Sequence, residues 1–413
     1  MVGGGVIGAA AALELARRGA SVVLLERGGD LAWGCSAGNA GIVGPGHVQP
    51  LANPAAVVDG IRWMGRPDSP FFVRPRPGVV PWLTRFLAAA APSRVQHSTS
   101  VLQRLAVRSA ELHAELHAGG LDAGYQQRGL LDVFRGEKAF RAAVGAVGPG
   151  DEVVRVEDLP GQLGPGFAGG VLRRGEAHCD PLRFVLALGA WAAEVGVEIR
   201  TGVEVLGLRR TGRRVDALWT TEGDVEVAEV VVAAGVWSAG LAGELGLRLP
   251  IEGGKGYHVD IEARPGDPEL PIWLHEHRVV VTPNGPRIRL AGTMELTGTD
   301  RGVDQRRVDA ITRAATEALP GFAGRPPLHV WRGLRPCTPD GLPIIGRAPA
   351  LDNLTLATGH GMWGLQLAPL TARLAASIAL GTAPECDVAP LRADRFSAPW
   401  RAGSRADAHA VGA

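Results

Sequence analysis

Two glycine-rich stretches carry most of the chemistry that residue type and spacing support in this chain. At the N-terminus, Val2-Gly3-Gly4-Gly5-Val6-Ile7-Gly8 spells G-x-G-x-x-G; an alanine-rich stretch follows, then Val22-Val23-Leu24-Leu25-Glu26, an apolar run ending in an acid. That order reads as a dinucleotide fold: Gly3 permits a tight turn, Gly5 lets the backbone approach a pyrophosphate, and Gly8 lets the helix pack closely on the sheet. Glu26 lies 18 residues beyond Gly8, placed to accept hydrogen bonds from a ribose, and its charge disfavours a 2'-phosphate. A purely structural turn is the alternative reading. The second stretch, Gly359-His360-Gly361-Met362-Trp363-Gly364, feeds a largely apolar helix expected over 365–380. The amide dipoles at such a helix start favour an anionic or electron-rich ligand group.

Other chemistries find little support. His113 and His117 stand four apart, but His-Ala-Glu-Leu-His is not the H-E-x-x-H order, no third ligand is marked, and His97 and His178 add none, so no metal site is expected. Ser36 and Ser238 lack a strand-turn-helix nucleophile elbow. A net charge of +1 gives no basis for a nucleic-acid partner. Cys35, Cys179, Cys337 and Cys386 are widely spaced, which suits reduced thiols in a cytoplasmic protein. With no basic leader and no uncharged apolar run of membrane-spanning length, secretion and membrane spanning are disfavoured. From Asp59 to Arg94, six arginines face two acids, interleaved with Trp63, Phe71, Phe72, Trp82 and Phe86. This segment suits peripheral contact with an anionic bilayer or docking of an electron carrier; equally, its aromatics suit a core.

The elements that must position these residues follow from periodicity. A helix is expected over 9–18 and a buried parallel strand over 21–26, with loop from 34 to 54, helix over 99–118 and short strands near 125–134. A helix follows Asp180-Pro181; Val230 to Gly235 is an apolar strand that belongs in the sheet of the first glycine motif. Strands at 256–261, 278–282 and 287–292 with a helix over 304–318 read as a separate antiparallel module. The dinucleotide unit needs an apolar strand before Gly3, where only Met1 and Val2 stand. The start of the chain is therefore read as set too late or trimmed, with a weakened sheet and phosphate turn expected.

The chain resembles the FAD-dependent amino-acid oxidoreductases of the D-amino-acid oxidase and glycine oxidase superfamily, and within it the small-subunit type of bacterial D-amino-acid dehydrogenase. The likeness is carried by GGGVIG with Glu26, by CSAGNAGIVGPGHVQP from Cys35 to Pro50, and by GLRPCTPDGLPIIG (Gly333 to Gly346) with TGHGMWGLQLAP (Thr358 to Pro369). It implies an α/β plus α+β architecture: a Rossmann-like FAD domain of the glutathione-reductase type, interleaved with an antiparallel-sheet substrate domain. The FAD domain is expected over 1–70, 175–250 and 332–413, and the substrate domain over 71–174 and 251–331.

By this resemblance Gly3, Gly5 and Gly8 line the diphosphate, Glu26 the adenosine ribose and Val205 the adenine side, with Val6, Ile7 and Arg27 also expected to bind the cofactor. Ala234 and Gly235 form a later FAD contact. Ser36, Asn39, Ala40 and Gly41 lie near the flavin ring, with Gly359, His360, Gly361, Met362, Trp363 and Gly364 on its pyrimidine side. The flavin-tethering cysteine of sarcosine oxidase-like relatives falls at Gly333, so the FAD is expected to be noncovalent, with Cys337 nearby in sequence. Arg335 matches the substrate-binding arginine, and a guanidinium's planar fork suits a carboxylate. If 332–335 is extended, Arg332 points to the opposite face.

Tyr257 is implied as a lid or carboxylate hydrogen-bond donor, or else a half-buried sheet residue. His47 is expected to shape the amine side of the pocket, or else to be an exposed loop histidine, and Trp363 to wall the pocket or pack. The implied reaction is oxidative deamination of a D-amino acid, with electrons leaving for a quinone or protein acceptor. The alternatives are D-hydroxyproline or another secondary amino acid, a glycine or sarcosine oxidase, and a non-enzymatic FAD-bearing subunit of a hetero-oligomeric electron-transfer complex.

Overall fold

The computed structural model describes residues 1–63 and 69–397. The first glycine motif opens a helix, Val6–Arg17, that feeds the strand Val23–Glu26. That strand pairs in parallel with Glu198–Thr201, and Val230–Val232 pairs in parallel with Leu354–Thr358, which pairs antiparallel with Ile344–Arg347. Between these two halves runs Val2, bridged in parallel to both Leu25 and Val232.

Two residues therefore hold the central position where a whole strand was expected. The Val2 amide donates to Val231 at 2.9 Å, the Ala233 amide to Val2 at 2.8 Å, the Leu25 amide to Met1 at 2.9 Å and the Gly3 amide to Leu25 at 2.8 Å. These bonds continue both ladders past the start of the glycine turn, so the backbone groups there are satisfied. The amino terminus donates to the Val23 carbonyl at 2.7 Å, and burial pushes its pKa down to about 5.

The alanines of Val6–Arg17 allow the close packing that their sequence suggested. Ala9 to Ala12 are buried against Gly364–Ala379 and Pro181–Glu194. Asp180 caps the latter helix, accepting from the Leu182 and Arg183 amides, with Pro181 in its first turn. The helix expected over 99–118 begins earlier, at Pro92, and runs to Ala118; proline at the first position fits because its missing amide would have had no partner.

The second large sheet has nine strands. Eight follow the order His329–Cys337, Glu252–Glu262, Arg287–Leu296, Val279–Asn284, Ile272–Leu274, Leu130–Phe134, Gly169–Arg173 and Asp151–Arg155. It is mixed rather than antiparallel: Ile272–Leu274 runs parallel to Leu130–Phe134, and Phe71–Val73 pairs in parallel with Arg287–Leu296. The cause is that strands from distant chain segments, which no hairpin constrains to be antiparallel, complete the sheet. One face packs Val133, Tyr257, Val259, Leu274 and Val279 against the helix Gln305–Ala318.

In the basic segment, Trp82 and Phe86 are buried while Val80 and Leu87 are exposed; Arg66 and the Arg62 and Trp63 side chains lie outside the described residues. No helix among the described residues is long and apolar enough to cross a membrane.

Candidate active site

A cavity of about 880 Å³ is lined by residues of both sheets. Of the residues singled out from sequence, Gly3, Gly5, Val6, Ile7, Glu26, Arg27, Ser36, Asn39, Ala40, Val205, Ala234, Gly235, Gly361, Met362 and Gly364 line it, as do His47, Arg335, His360 and Trp363. Gly8, Gly41, Gly359 and Tyr257 do not.

At one end the glycine turn is held by contacts that only glycine admits. Gly3 has φ +100°, and a Cβ there would lie 2.7 Å from the Ala233 carbonyl oxygen; a Cβ on Gly8 would lie 1.8 Å from that of Gly3. Gly8 thus acts one layer behind the wall, letting the helix start abut the turn. Gly5 caps Val6–Arg17 without a side-chain hydrogen bond, while the Val6 amide donates to Ser36 Oγ at 2.9 Å. The buried Glu26 carboxylate accepts from the Gly4 amide at 2.6 Å and the Gly28 amide at 2.7 Å, tying the turn to the strand end. Arg27 stacks on Trp237, 3.6 Å from its ring centre.

The second glycine stretch meets the 36–41 loop across the cavity. Asn39 joins them: its side-chain oxygen accepts from the Gly41 amide at 2.8 Å and its Nδ2 donates to the Met362 carbonyl at 3.3 Å. The loop also hangs from the nine-stranded sheet, because Arg289 Nη1 donates to the Ala37 and Asn39 carbonyls, both at 2.9 Å. Arg289 is itself gripped by Asp260 at 2.9 and 3.1 Å. Burial raises the Asp260 carboxyl, but Arg289 outweighs that and holds it below the usual range. His258 Nδ1 donates to the Gly38 carbonyl at 3.2 Å while its ring stacks on Trp331; burial, with Arg289, pushes its pKa down to about 3.

The helix Gly364–Ala379 likewise starts without a side-chain cap, with Gly361, Met362, Trp363 and Gly364 at the cavity. Two helix N-termini thus open on one cavity, and the polypeptide fits a dinucleotide cofactor whose charged groups would meet them. The His360 imidazole is committed elsewhere: its Nε2 lies 3.0 Å from Thr371 Oγ1, and burial pushes its pKa down to about 3, so it stays neutral at ordinary pH. Trp363 Nε1 donates to the Gln49 carbonyl at 3.0 Å.

Arg335 lines the cavity, and among the described residues its oxygen partner is the Thr293 carbonyl, 2.8 Å from Nη1. Among the described residues no carboxylate is paired with it, and burial pushes its pKa down. A desolvated guanidinium without a counter-ion is costly, and an anionic ligand compensates. Arg332, three residues back on the same strand, does not line the cavity; its Nε donates to the Arg301 carbonyl.

Tyr257 corrects the sequence expectation. It is 1% exposed, on the opposite face of the sheet, and its hydroxyl donates to Glu295 at 2.7 Å. The strand's alternation places it in the core, so it is neither lid nor substrate donor. His47 does line the cavity, but as a locked group. Its Nδ1 lies 2.6 Å from Glu176, its Nε2 2.7 Å from Asp132, and its ring stacks on Trp273. Burial lowers its pKa, but the two carboxylates outweigh that and raise it to about 9.

Sequence reasoning missed Asp132, Arg173, Trp273, Thr293 and the Asp260–Arg289 pair. Asp132 left a signal, an acid inside the apolar run Leu-Leu-Asp-Val-Phe. Arg173, which donates to Asp132 at 3.0 Å, left none, since its role exists only through that pairing.

The sequence profile of the FAD dependent oxidoreductase family, DAO, matches residues 1–378. The chain is 34% identical to a D-amino acid dehydrogenase of Paramagnetospirillum magneticum, over 96% of this chain and 98% of that protein. It is 33% identical to one of Cereibacter sphaeroides, over 97% and 96%. Among solved structures, glycine oxidase from Geobacillus kaustophilus superposes with a TM-score of 0.73 at 25% identity, covering 96% of this chain and 97% of that one. Iminodiacetate oxidase from Chelativorans sp. BNC1 shares the fold, with a TM-score of 0.73 at 21% identity over 95% and 97%. The glycine cradle, the two uncapped helix starts and the unpaired cavity arginine thus belong to a member of the DAO family, an FAD-dependent oxidoreductase acting on amino-acid donors.

Proposed function

We propose that this enzyme oxidises D-α-amino acids to 2-oxo acids and ammonium, passing the electrons to a quinone or protein acceptor rather than to oxygen. The observation that carries the reading is Arg335, a partly buried guanidinium facing the cavity with a carbonyl but no carboxylate partner among the described residues. The free carboxylate of an amino acid supplies the missing anion in bidentate geometry. The D-amino acid dehydrogenases at 33–34% identity support the stereochemistry and the acceptor type.

Bound FAD supplies the two-electron acceptor. The substrate loses a hydride from Cα and a proton from its nitrogen, forming a C=N bond; water then adds to that bond and ammonium leaves. Arg335 holds the carboxylate, Asn39 holds the two loops together around the reacting centre, and the helix start at Gly364 favours negative charge nearby. Neither His360 nor His47 acts as the base, the first being bonded to Thr371 and the second protonated between two carboxylates.

Noncovalent binding of the FAD fits the thiols. Gly333 offers none, and burial pushes the Cys337 thiol up to about 12, so it is no nucleophile near neutral pH.

Purified protein supplied with FAD is tested for reduction of an artificial acceptor dye by D- and L-amino acids, D-hydroxyproline, glycine and sarcosine, with oxygen uptake followed in parallel. Dye reduction by D-amino acids with little oxygen uptake is expected. Turnover confined to glycine or sarcosine with stoichiometric oxygen uptake refutes the proposal.

A further inference from the structure

Among the described residues, the one left-handed β-branched residue in the cavity wall is Thr293, at φ +67° on the strand Arg287–Leu296. Steric crowding of Cβ makes that conformation unfavourable for threonine, and such residues persist where the surrounding fold imposes them. The cause is visible in the ladder. Lys255 pairs with Glu295 and Tyr257 with Gly292, so Gly256 alone stands opposite both Thr293 and Met294. This is a two-against-one bulge, and bulges re-aim backbone groups beside active sites. On its other side Gly256 stays in regular register with Gly333, so the distortion is confined to Thr293 and Met294.

The carbonyl so released accepts from Arg335 Nη1 at 2.8 Å. Arg335 pairs with Gly254 along the backbone, yet its guanidinium reaches to Gly256: a Cβ on Gly256 would lie 2.1 to 2.3 Å from three guanidinium atoms. We infer that Thr293 is a positioning residue for the substrate carboxylate: its backbone carbonyl, turned out of the ladder by the bulge, aims the Arg335 guanidinium over the space left by Gly256. The inference rests on the reading of Arg335 as the carboxylate clamp.

The choice of a carbonyl anchor has a physical consequence. A carboxylate would hold the guanidinium equally well but would neutralise it. A neutral oxygen fixes one of the five N–H groups and leaves the whole positive charge, with the remaining donors, for the substrate. A long side chain otherwise free to change rotamer is ordered before binding, so less entropy is lost when the carboxylate arrives.

The test uses the full FAD-loaded chain. Affinity for benzoate, a carboxylate with no oxidisable C–N bond, is read from the flavin absorbance, alongside substrate KM, kcat and FAD content. In Gly256→Ala the added methyl displaces only the end of a flexible side chain, so FAD content should match the parent while benzoate Kd and KM rise about tenfold and kcat changes less. Thr293→Asn, which tolerates the left-handed conformation and keeps the carbonyl in place, should stay within about twofold of the parent. Parent-like affinity in Gly256→Ala overturns the inference. So does a tenfold loss in Thr293→Asn, which would make the threonine side chain, not its carbonyl, the operative group. Arg335→Met serves as the control: parent-like benzoate binding there refutes the carboxylate clamp itself, and this inference with it.

Discussion

Replacing His47 by glutamine should abolish a specific part of the pH dependence of stability. In the native protein the imidazolium lies between Asp132 and Glu176, with 10% of its side chain exposed, and its pKa stands at about 9 against an ordinary 6.5. That difference corresponds to about 3 kcal/mol of preferential stabilisation of the protonated form in the folded state. Because the folded pKa is the higher one, this contribution is fully present below pH 6.5 and is lost as pH rises through about 9. Over that window the native state binds more protons than the unfolded chain, and stability falls with a limiting slope of about 1.4 kcal/mol per pH unit. Urea unfolding of the parent and of His47→Gln at pH 6.5, 8 and 9.5 measures it. The variant should be less stable than the parent at pH 6.5, since two buried carboxylates lose their shared cation, and the gap should narrow by pH 9.5. Parallel pH profiles for the two proteins would refute the reasoning.

At the acid end, burial holds His113 and His178 at about 4 and His258 and His360 at about 3, so all four are neutral when folded. The unfolded chain takes up their protons as pH falls below about 6.5, so urea midpoints should drop between pH 6.5 and 5; a flat profile would show that these rings are not held neutral. Gly8→Ala places a methyl against the Gly3 carbonyl and should yield protein purified without yellow flavin; retention of the parent's FAD content would refute that packing. Asp260→Ala strands the buried Arg289 and releases the hold on Ala37 and Asn39. A loss of about 3–5 kcal/mol in urea unfolding together with weakened FAD binding is expected, and unchanged FAD affinity would show that the loop needs no such support.

Much of the glycine-turn end of the cavity was legible in the sequence because its physics is local. Gly3, Gly5 and Gly8 act within one turn and one helix start, and Glu26 closes the strand that follows, so spacing alone conveys their geometry. The role that the resemblance implied for Tyr257 failed because a resemblance does not tell which face of the sheet a side chain takes, and it is the neighbouring Gly256, a glycine inside a strand, that marks the close approach of Arg335. The expected antiparallel sheet proved mixed for a similar reason, since the periodicity of a strand does not tell which partner it will meet.

The order of residues thus conveys a glycine turn, a buried strand, a helix start and a nearby arginine, all encoded within some ten to thirty positions. The charge state of His47 is another matter, set by partners 85 and 129 positions away. The aim of Arg335 is set by a carbonyl 42 positions away, on a strand that the bulge bends. Hydrogen bonding and desolvation depend on distances in space, and only the closed sheets bring those groups within 3 Å of one another, turning a basic side chain into an oriented clamp and a loop histidine into a fixed cation.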